Sequence, residues 1–193
     1  MRLLEEKILD CGEVKNQDVL KVDSFLNHQI DVQFMNKLGE EFYRLFKDTR
    51  PTKIMTLEAS GISIAVLTAL HFKLPVIFAK KTESLNLDNE TYTAEVYSFT
   101  RQKSYQIKVS RRYLSSSDRV LIVDDFLARG SAVHGMMNLC HEAGAEVCGV
   151  GILIEKAFQE GGRDLREKGV NLHSLAIVES MSCEEGIVFQ EEK

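Results

Sequence analysis

The hydrophobic rhythm of the chain changes near Pro51. Before it, apolar residues recur at helical steps. Leu3, Leu4, Ile8 and Leu9 stand among charges and predict a short amphipathic helix over Met1–Asp10; Phe34, Leu38, Phe42, Leu45 and Phe46 predict a second one, ended by Pro51. The stretch between them, to about Val32, is polar and turn-prone. After Pro51 come short, almost unbroken aliphatic runs: KIMTL (Lys53–Leu57), PVIFA (Pro75–Ala79), VLIVD (Val120–Asp124), VCGVGILIE (Val147–Glu155) and HSLAIV (His173–Val178). Such runs are strands buried on both faces. Helical patterns alternate with them, at ISIAVLTALHF and from Ser131 to Glu142, with a helical turn at Asp164–Gly169. The polar segment after Ala79 alternates from Tyr92 and again from Ser104, which predicts two antiparallel strands.

Strand–helix–strand units of this kind predict an α/β fold: a mostly parallel sheet flanked by helices, in one domain spanning residues 1–193. The first ~35 residues are expected to form a small structure laid over that sheet. Composition agrees with a packed globular chain, at 44% hydrophobic and 27% charged residues. A net charge of −5 gives no global basic field, so nucleic acid is not an expected partner. No apolar run is long enough to span a membrane, and Glu5, Glu6 and Asp10 interrupt any signal-peptide core. The four cysteines, Cys11, Cys140, Cys148 and Cys183, are scattered without metal-binding spacing, so they read as reduced thiols of a cytoplasmic protein. His134 and His141 lack a carboxylate companion, and no protein metal site is expected.

The most informative stretch is VLIVDDFLARGSAVHG, Val120–Gly135. Adjacent acids at the end of a buried strand repel each other and are costly to bury, unless a ligand with hydroxyls or a cation meets them. Both can serve one ligand if the strand ends at Asp124 and Asp125, since strand residues otherwise point to opposite faces. The carboxyl ends of parallel strands are where open α/β sheets bind ligands. The loop that follows has the opposite chemistry: small residues and a helix N-terminus present N–H groups to an anion such as phosphate. Ser131 adds a hydroxyl, and Gly130 permits close backbone approach. Acids for hydroxyls beside amides for phosphate describe a ribose 5-phosphate site, while the plainer alternative is a capping or surface pair.

This stretch resembles the phosphoribosyl-diphosphate (PRPP) motif of type I phosphoribosyltransferases, although Ala128-Arg129-Gly130-Ser131-Ala132 replaces the Thr-Gly-Gly-Thr type of loop often found there. Arg129 is read either as a phosphate partner or as solvent-facing. The resemblance covers nearly the whole chain and lies in the purine branch. It implies that EASG (Glu58–Gly61), with Ser60 and Gly61, cradles pyrophosphate. It also implies that the polar Lys81–Lys103 segment, beginning with Lys81, is a flexible catalytic loop, and that the first ~35 residues are a base-binding hood. Asp124 and Asp125 are then the catalytic pair holding the ribose hydroxyls.

By the same resemblance, Lys156 donates to carbonyl oxygens of an oxopurine, Phe158 stacks on its ring or packs in the hood, and Leu20 and Asn27 face the base. Taken alone, Leu20 reads as core and Asn27 as a turn residue. The implied reaction moves the phosphoribosyl group of PRPP to xanthine, giving xanthosine 5′-monophosphate and pyrophosphate in purine salvage. Mg²⁺ is expected to come with PRPP, and a homodimer is expected, with apolar positions such as Phe72 in reserve for the contact. Hypoxanthine or guanine as the base, and a PRPP-sensing regulator without catalysis, are the competing readings.

Overall fold

The computed structural model describes residues 1–16, 18–81, 90–98 and 102–191. The elements in chain order are α1 (Arg2–Cys11), β1 (Glu13–Asn16), β2 (Val19–Lys21), α2 (Val32–Phe46), β3 (Lys53–Leu57), α3 (Gly61–Phe72), β4 (Val76–Ala79), β5 (Thr91–Ser98), β6 (Lys103–Ser110), β7 (Arg119–Leu127), α4 (Ser131–Ala143), β8 (Glu146–Lys156), α5 (Gly161–Glu167), β9 (Leu172–Ser182) and β10 (Gly186–Phe189). Six of the strands form the central sheet in the order β10-β9-β8-β7-β3-β4. All neighbours are parallel except β10, which turns back against β9. The aliphatic runs of β7 and β8 are buried from Val120 to Val123 and from Cys148 to Ile154, as strands covered on both faces must be.

One core layer packs α1, α2 and α3 on the sheet; the other packs α4, α5 and the β5–β6 hairpin against its opposite face. Asp31 starts α2 by accepting the Phe34 amide at 3.1 Å. Phe42 and Phe46, one turn apart on that helix, are fully buried, and Phe46 fits into the space left by Gly149 of β8, where an added Cβ would stand 2.6 Å from its ring. The alternation from Tyr92 and Ser104 is realised as the antiparallel β5–β6 ribbon, in register from Thr91↔Ser110 to Ser98↔Lys103.

Three details differ from expectation. The polar stretch before Val32 is not irregular: β1 and β2 pair as a small antiparallel hairpin, and Asp23–Asn27 form one wide π-type turn. Asn16 makes that hairpin possible by accepting the amides of Asp18 and Val19 at 2.9 Å. Second, β7 does not end at the acid pair but runs on to Leu127. Third, Phe72 is not an open apolar position, because it packs edge-on against Tyr43 with ring centroids 4.9 Å apart. The outward face of α3 carries Val66 and Leu70 instead, 50% and 65% exposed. Of the expected catalytic loop, residues 82–89 and 99–101 lie outside the described residues.

Candidate active site

The site follows from the strand order. The chain runs from β3 to β4 on one side and then crosses to β7 on the other, so the crevice between β3 and β7 is the topological switch point, where open α/β sheets bind ligands. The two strands pair only from Lys53↔Val120 to Met55↔Ile122. Beyond Ile122, β7 stays paired with β8 alone as far as Leu127↔Glu155. The acid pair therefore shares a site for a reason other than a strand end: its neighbour has left, and that edge of β7 is open.

Asp124 and Asp125 sit at this opening, 4% and 7% exposed. Thr56 of β3 donates its hydroxyl to Asp124 Oδ1 at 3.4 Å, and Ser60 donates its side chain to Asp125. Burial, and then the charge of Asp125, push the Asp124 carboxyl well above the usual carboxylate range; nearby Lys81 pulls the other way. Burial also raises Asp125, against the hydrogen bond from Ser60. The pair thus retains a proton to higher pH, and a group that donates hydroxyls or brings positive charge is what would let both ionise.

The EASG turn closes over these acids. Its last residue opens α3, and a Cβ on Gly61 would fall 2.0 Å from Thr56 Oγ1 and 2.3 Å from Asp124 Oδ1, so only glycine lets the helix start this close to the carboxylate. The Glu58–Ala59 peptide is cis. The Glu58 carboxylate accepts the backbone amide of Lys81, while the Lys81 ammonium stands 5.8 Å from the Tyr105 ring centroid. The structure thus groups Ser60, Gly61 and Lys81 with the acid pair.

On the other side of Asp125 a cavity of about 570 Å³ takes in Phe126 to Val133, Lys156, Gln159, Asp18, Val19 and residues of the β5–β6 ribbon, including Tyr97 and Tyr105. All of Ala128, Arg129, Gly130, Ser131 and Ala132 line it. Gly130 has φ +82°, the left-handed conformation that turns the loop into α4, and no side chain caps that helix. The first-turn amides of α4 have no intrahelical acceptors and, at the positive end of the helix dipole, are suited to receive an anion. Asp124 and Asp125 are not on this wall; they adjoin it through Phe126.

At the far rim, Lys156 donates to the backbone carbonyl of Asp18 in the β1–β2 turn, and burial holds its ammonium below the usual lysine range. Its Nζ stands 5.4 Å from the centroid of Phe126. Gln159 adds a bond from its side-chain amide to Asp18 Oδ1 at 3.4 Å. The ring beside Lys156 in this cavity is accordingly Phe126, whereas Phe158 is 40% exposed and off the wall. Leu20 is buried in the core and Asn27 is exposed on its wide turn, and neither lines the cavity. The sequence reading missed Phe126, Asp18 and Gln159. Alternation along a strand continuing past the acids points to Phe126, whereas nothing local marks Asp18, which acts through its backbone. Among the described residues no group of three or more His, Cys, Asp or Glu side chains is placed to hold a metal ion.

The strand order, the open edge of β7 and the loop into α4 define a phosphoribosyltransferase. The chain belongs to that family: residues 21–177 match the phosphoribosyl transferase domain. Within it, the chain is similar to the xanthine phosphoribosyltransferase of Clostridium novyi (strain NT), with 55% identity over 94% of this chain and 95% of that protein. It is similar also to the xanthine phosphoribosyltransferase of Lachnoclostridium phytofermentans (strain ATCC 700394 / DSM 18823 / ISDg), with 52% identity over all of both. The fold is that of the adenine phosphoribosyltransferase from Rhodothermus marinus DSM 4252, at TM-score 0.76 over 92% of this chain and 99% of that one; the identity is 21%, so this likeness concerns the fold alone.

Proposed function

We infer that this chain is a cytoplasmic purine salvage enzyme that transfers the 5-phosphoribosyl group of PRPP to xanthine, yielding xanthosine 5′-monophosphate and pyrophosphate. The observation that carries the reading is the adjacency of the EASG turn and the acid pair, at the open edge of β7, to the cavity lined by the loop into α4 and the half-buried Lys156. Pyrophosphate, ribose, 5′-phosphate and base need donors and acceptors in that arrangement, and the 52–55% identical relatives named for xanthine supply the choice of base.

In this reading Ser60, Gly61 and Lys81 hold the pyrophosphate, and residues 128–132 hold the 5′-phosphate. Asp124 and Asp125 accept the ribose hydroxyls and offset positive charge developing at C1 as the bond to pyrophosphate breaks. Lys156 gives up the Asp18 carbonyl, or shares its three protons with it, to donate to oxopurine carbonyls, for which adenine has no counterpart. Phe126 lies beneath the same ammonium as an apolar surface for the ring. Leu20, Asn27 and Phe158 belong to the reading as what the hood side adds when the base is bound. Two adjoining carboxylates suit Mg²⁺ as it is usually held, by one or two carboxylates, water and substrate phosphates, and not as a resident ion. Bound with PRPP, it neutralises charge on the pyrophosphate leaving group. A homodimer completes the proposal, with Val66 and Leu70 as the apolar face available to it.

The test is pyrophosphate release from PRPP and Mg²⁺ with xanthine, guanine, hypoxanthine or adenine. Xanthine is expected to exceed the others. Preference for guanine or hypoxanthine would keep the reaction and replace the base, and PRPP binding without release for any base would make the chain a sensor.

A further inference from the structure

Next to the phosphate loop lies an ionic cluster, buried at its carboxylate and open to solvent at its guanidinium, none of whose members lines the cavity. The Glu155 side chain is 2% exposed. Its carboxylate oxygens each accept one guanidinium nitrogen of Arg166 at 2.7 Å, and Ser174 donates its hydroxyl to the same group. A pair that buries its carboxylate while its guanidinium meets solvent returns little net stability, so its geometry is the better guide to its use.

That geometry leads to the loop. Gly162 of α5 lies directly on the cluster: a Cβ there would be 1.9 Å from Glu155 Oε1 and 2.8 Å from Arg166 Nη1. The preceding residue, Gly161, donates its backbone N–H to the Ala128 carbonyl at 3.0 Å. Its own Cβ would stand 2.5 Å from that oxygen and 2.6 Å from the Gly130 nitrogen. A second tie closes the arrangement: Asp164 of α5 meets His134 Nε2 at 2.7 Å, and His134 belongs to the first turn of α4. The first turn of α5 is therefore wedged between a fixed bidentate ion pair and the backbone of residues 128–130.

We propose that Glu155, Arg166 and Ser174 are positioning residues for the 5′-phosphate: they seat Gly161–Gly162 against the phosphate loop and so hold its amides in binding geometry before the ligand arrives. The bidentate fork fixes direction as well as distance, which a single point charge does not. The inference rests on the proposed function for the nature of the ligand only.

Calorimetric titration with ribose 5-phosphate tests it, using Gly161→Ala, Arg166→Met and Arg166→Lys. Ile8→Val, a destabilising change in the buried face of α1 remote from the loop, serves as control. Gly161→Ala and Arg166→Met are expected to raise the Kd about 10- to 100-fold. Arg166→Lys, keeping the charge without the fork, should fall between wild type and Arg166→Met, and Ile8→Val should keep the wild-type Kd. A wild-type Kd in folded Gly161→Ala overturns the proposal, as does a Kd that rises equally in Ile8→Val or a wild type that does not bind ribose 5-phosphate. Should Arg166→Met not fold, Arg166→Lys against Ile8→Val decides. Pyrophosphate release by the wild type is read separately: its absence, with the Kd ranking intact, removes the proposed reaction and leaves the positioning role standing.

Discussion

Two carboxylates buried side by side make Asp124 and Asp125 a local expense that only a ligand offsets. Asp124→Asn keeps the shape and hydrogen-bonding capacity while deleting the charge. Its expected effect on the ligand-free protein is stabilising wherever the pair is ionised, by about 1–3 kcal/mol. Turnover should fall at least 100-fold, further in the double variant with Asp125→Asn. Thermal unfolding and initial rates on the same samples check both; near-normal turnover in the double variant would remove these residues from the ribose site. Lys156 is the opposite case, a half-buried cation with a carbonyl for company. Lys156→Ala should weaken purine binding about 10- to 100-fold, the value of a charge-assisted hydrogen bond, and change PRPP binding less than twofold. Comparable calorimetric losses for both ligands would count against the assignment. These residues were legible in the sequence because their chemistry is anomalous where they stand: paired acids after aliphatics, and a lysine straight after ILIE. Phe126 was not, because an aromatic in a strand is ordinary until the neighbouring strand is seen to leave.

At the scale of elements, the pattern of aliphatic runs and helical steps conveys every strand of the central sheet except β10, but not which strands lose their partners. The parting of β3 from β7 after Met55↔Ile122 depends on long-range register, and it is what turns an acid pair in mid-strand into a site. The β1–β2 hairpin was hidden for a related reason: strands of four and three residues carry too little alternation to be read, and the hairpin is held by Asn16 side-chain bonds and by Lys156 from far along the chain. A prediction at this scale concerns the junction of β3 with α3. Gly61→Ala places a methyl within 2.3 Å of both Thr56 Oγ1 and Asp124 Oδ1. The helix start must lift or the two side chains must turn away, at an expected cost of about 1–3 kcal/mol. Urea midpoints measure that cost, and the KM for PRPP should rise with it because Ser60 moves with the turn. A Gly61→Ala protein with wild-type midpoint and KM would show that the EASG turn has room to spare.

For the whole molecule, the acid pair ties stability to pH and to ligand through one linkage. A carboxyl whose folded value is raised above its ordinary 3.8 binds protons more tightly folded than unfolded. Its contribution to stability is complete below 3.8 and declines as pH rises, until the raised folded value is passed. His173, which burial holds below its ordinary 6.5, acts in the other sense: as pH falls through that range the unfolded chain takes its proton first, and stability is lost towards acid. The raw pH profile of the ligand-free protein therefore mixes two opposed slopes. Ligand separates them. Ribose hydroxyls donate to the ionised carboxylates, so the stabilisation given by ribose 5-phosphate should grow as pH rises above 3.8 and the pair gives up its shared proton. At 100 times the Kd that stabilisation is about 2.7 kcal/mol, or about 5–10 °C for a chain of this size. The phosphate's own second ionisation, near 6, and the His173 slope are common to wild type and to the Asp124→Asn, Asp125→Asn double variant. Subtracting the double variant's ligand-induced shift at each pH, with both proteins at one fixed ligand concentration above either Kd, leaves the pair's share alone. That difference is expected to rise with pH, and a flat difference across the range would mean that the pair does not meet the ribose.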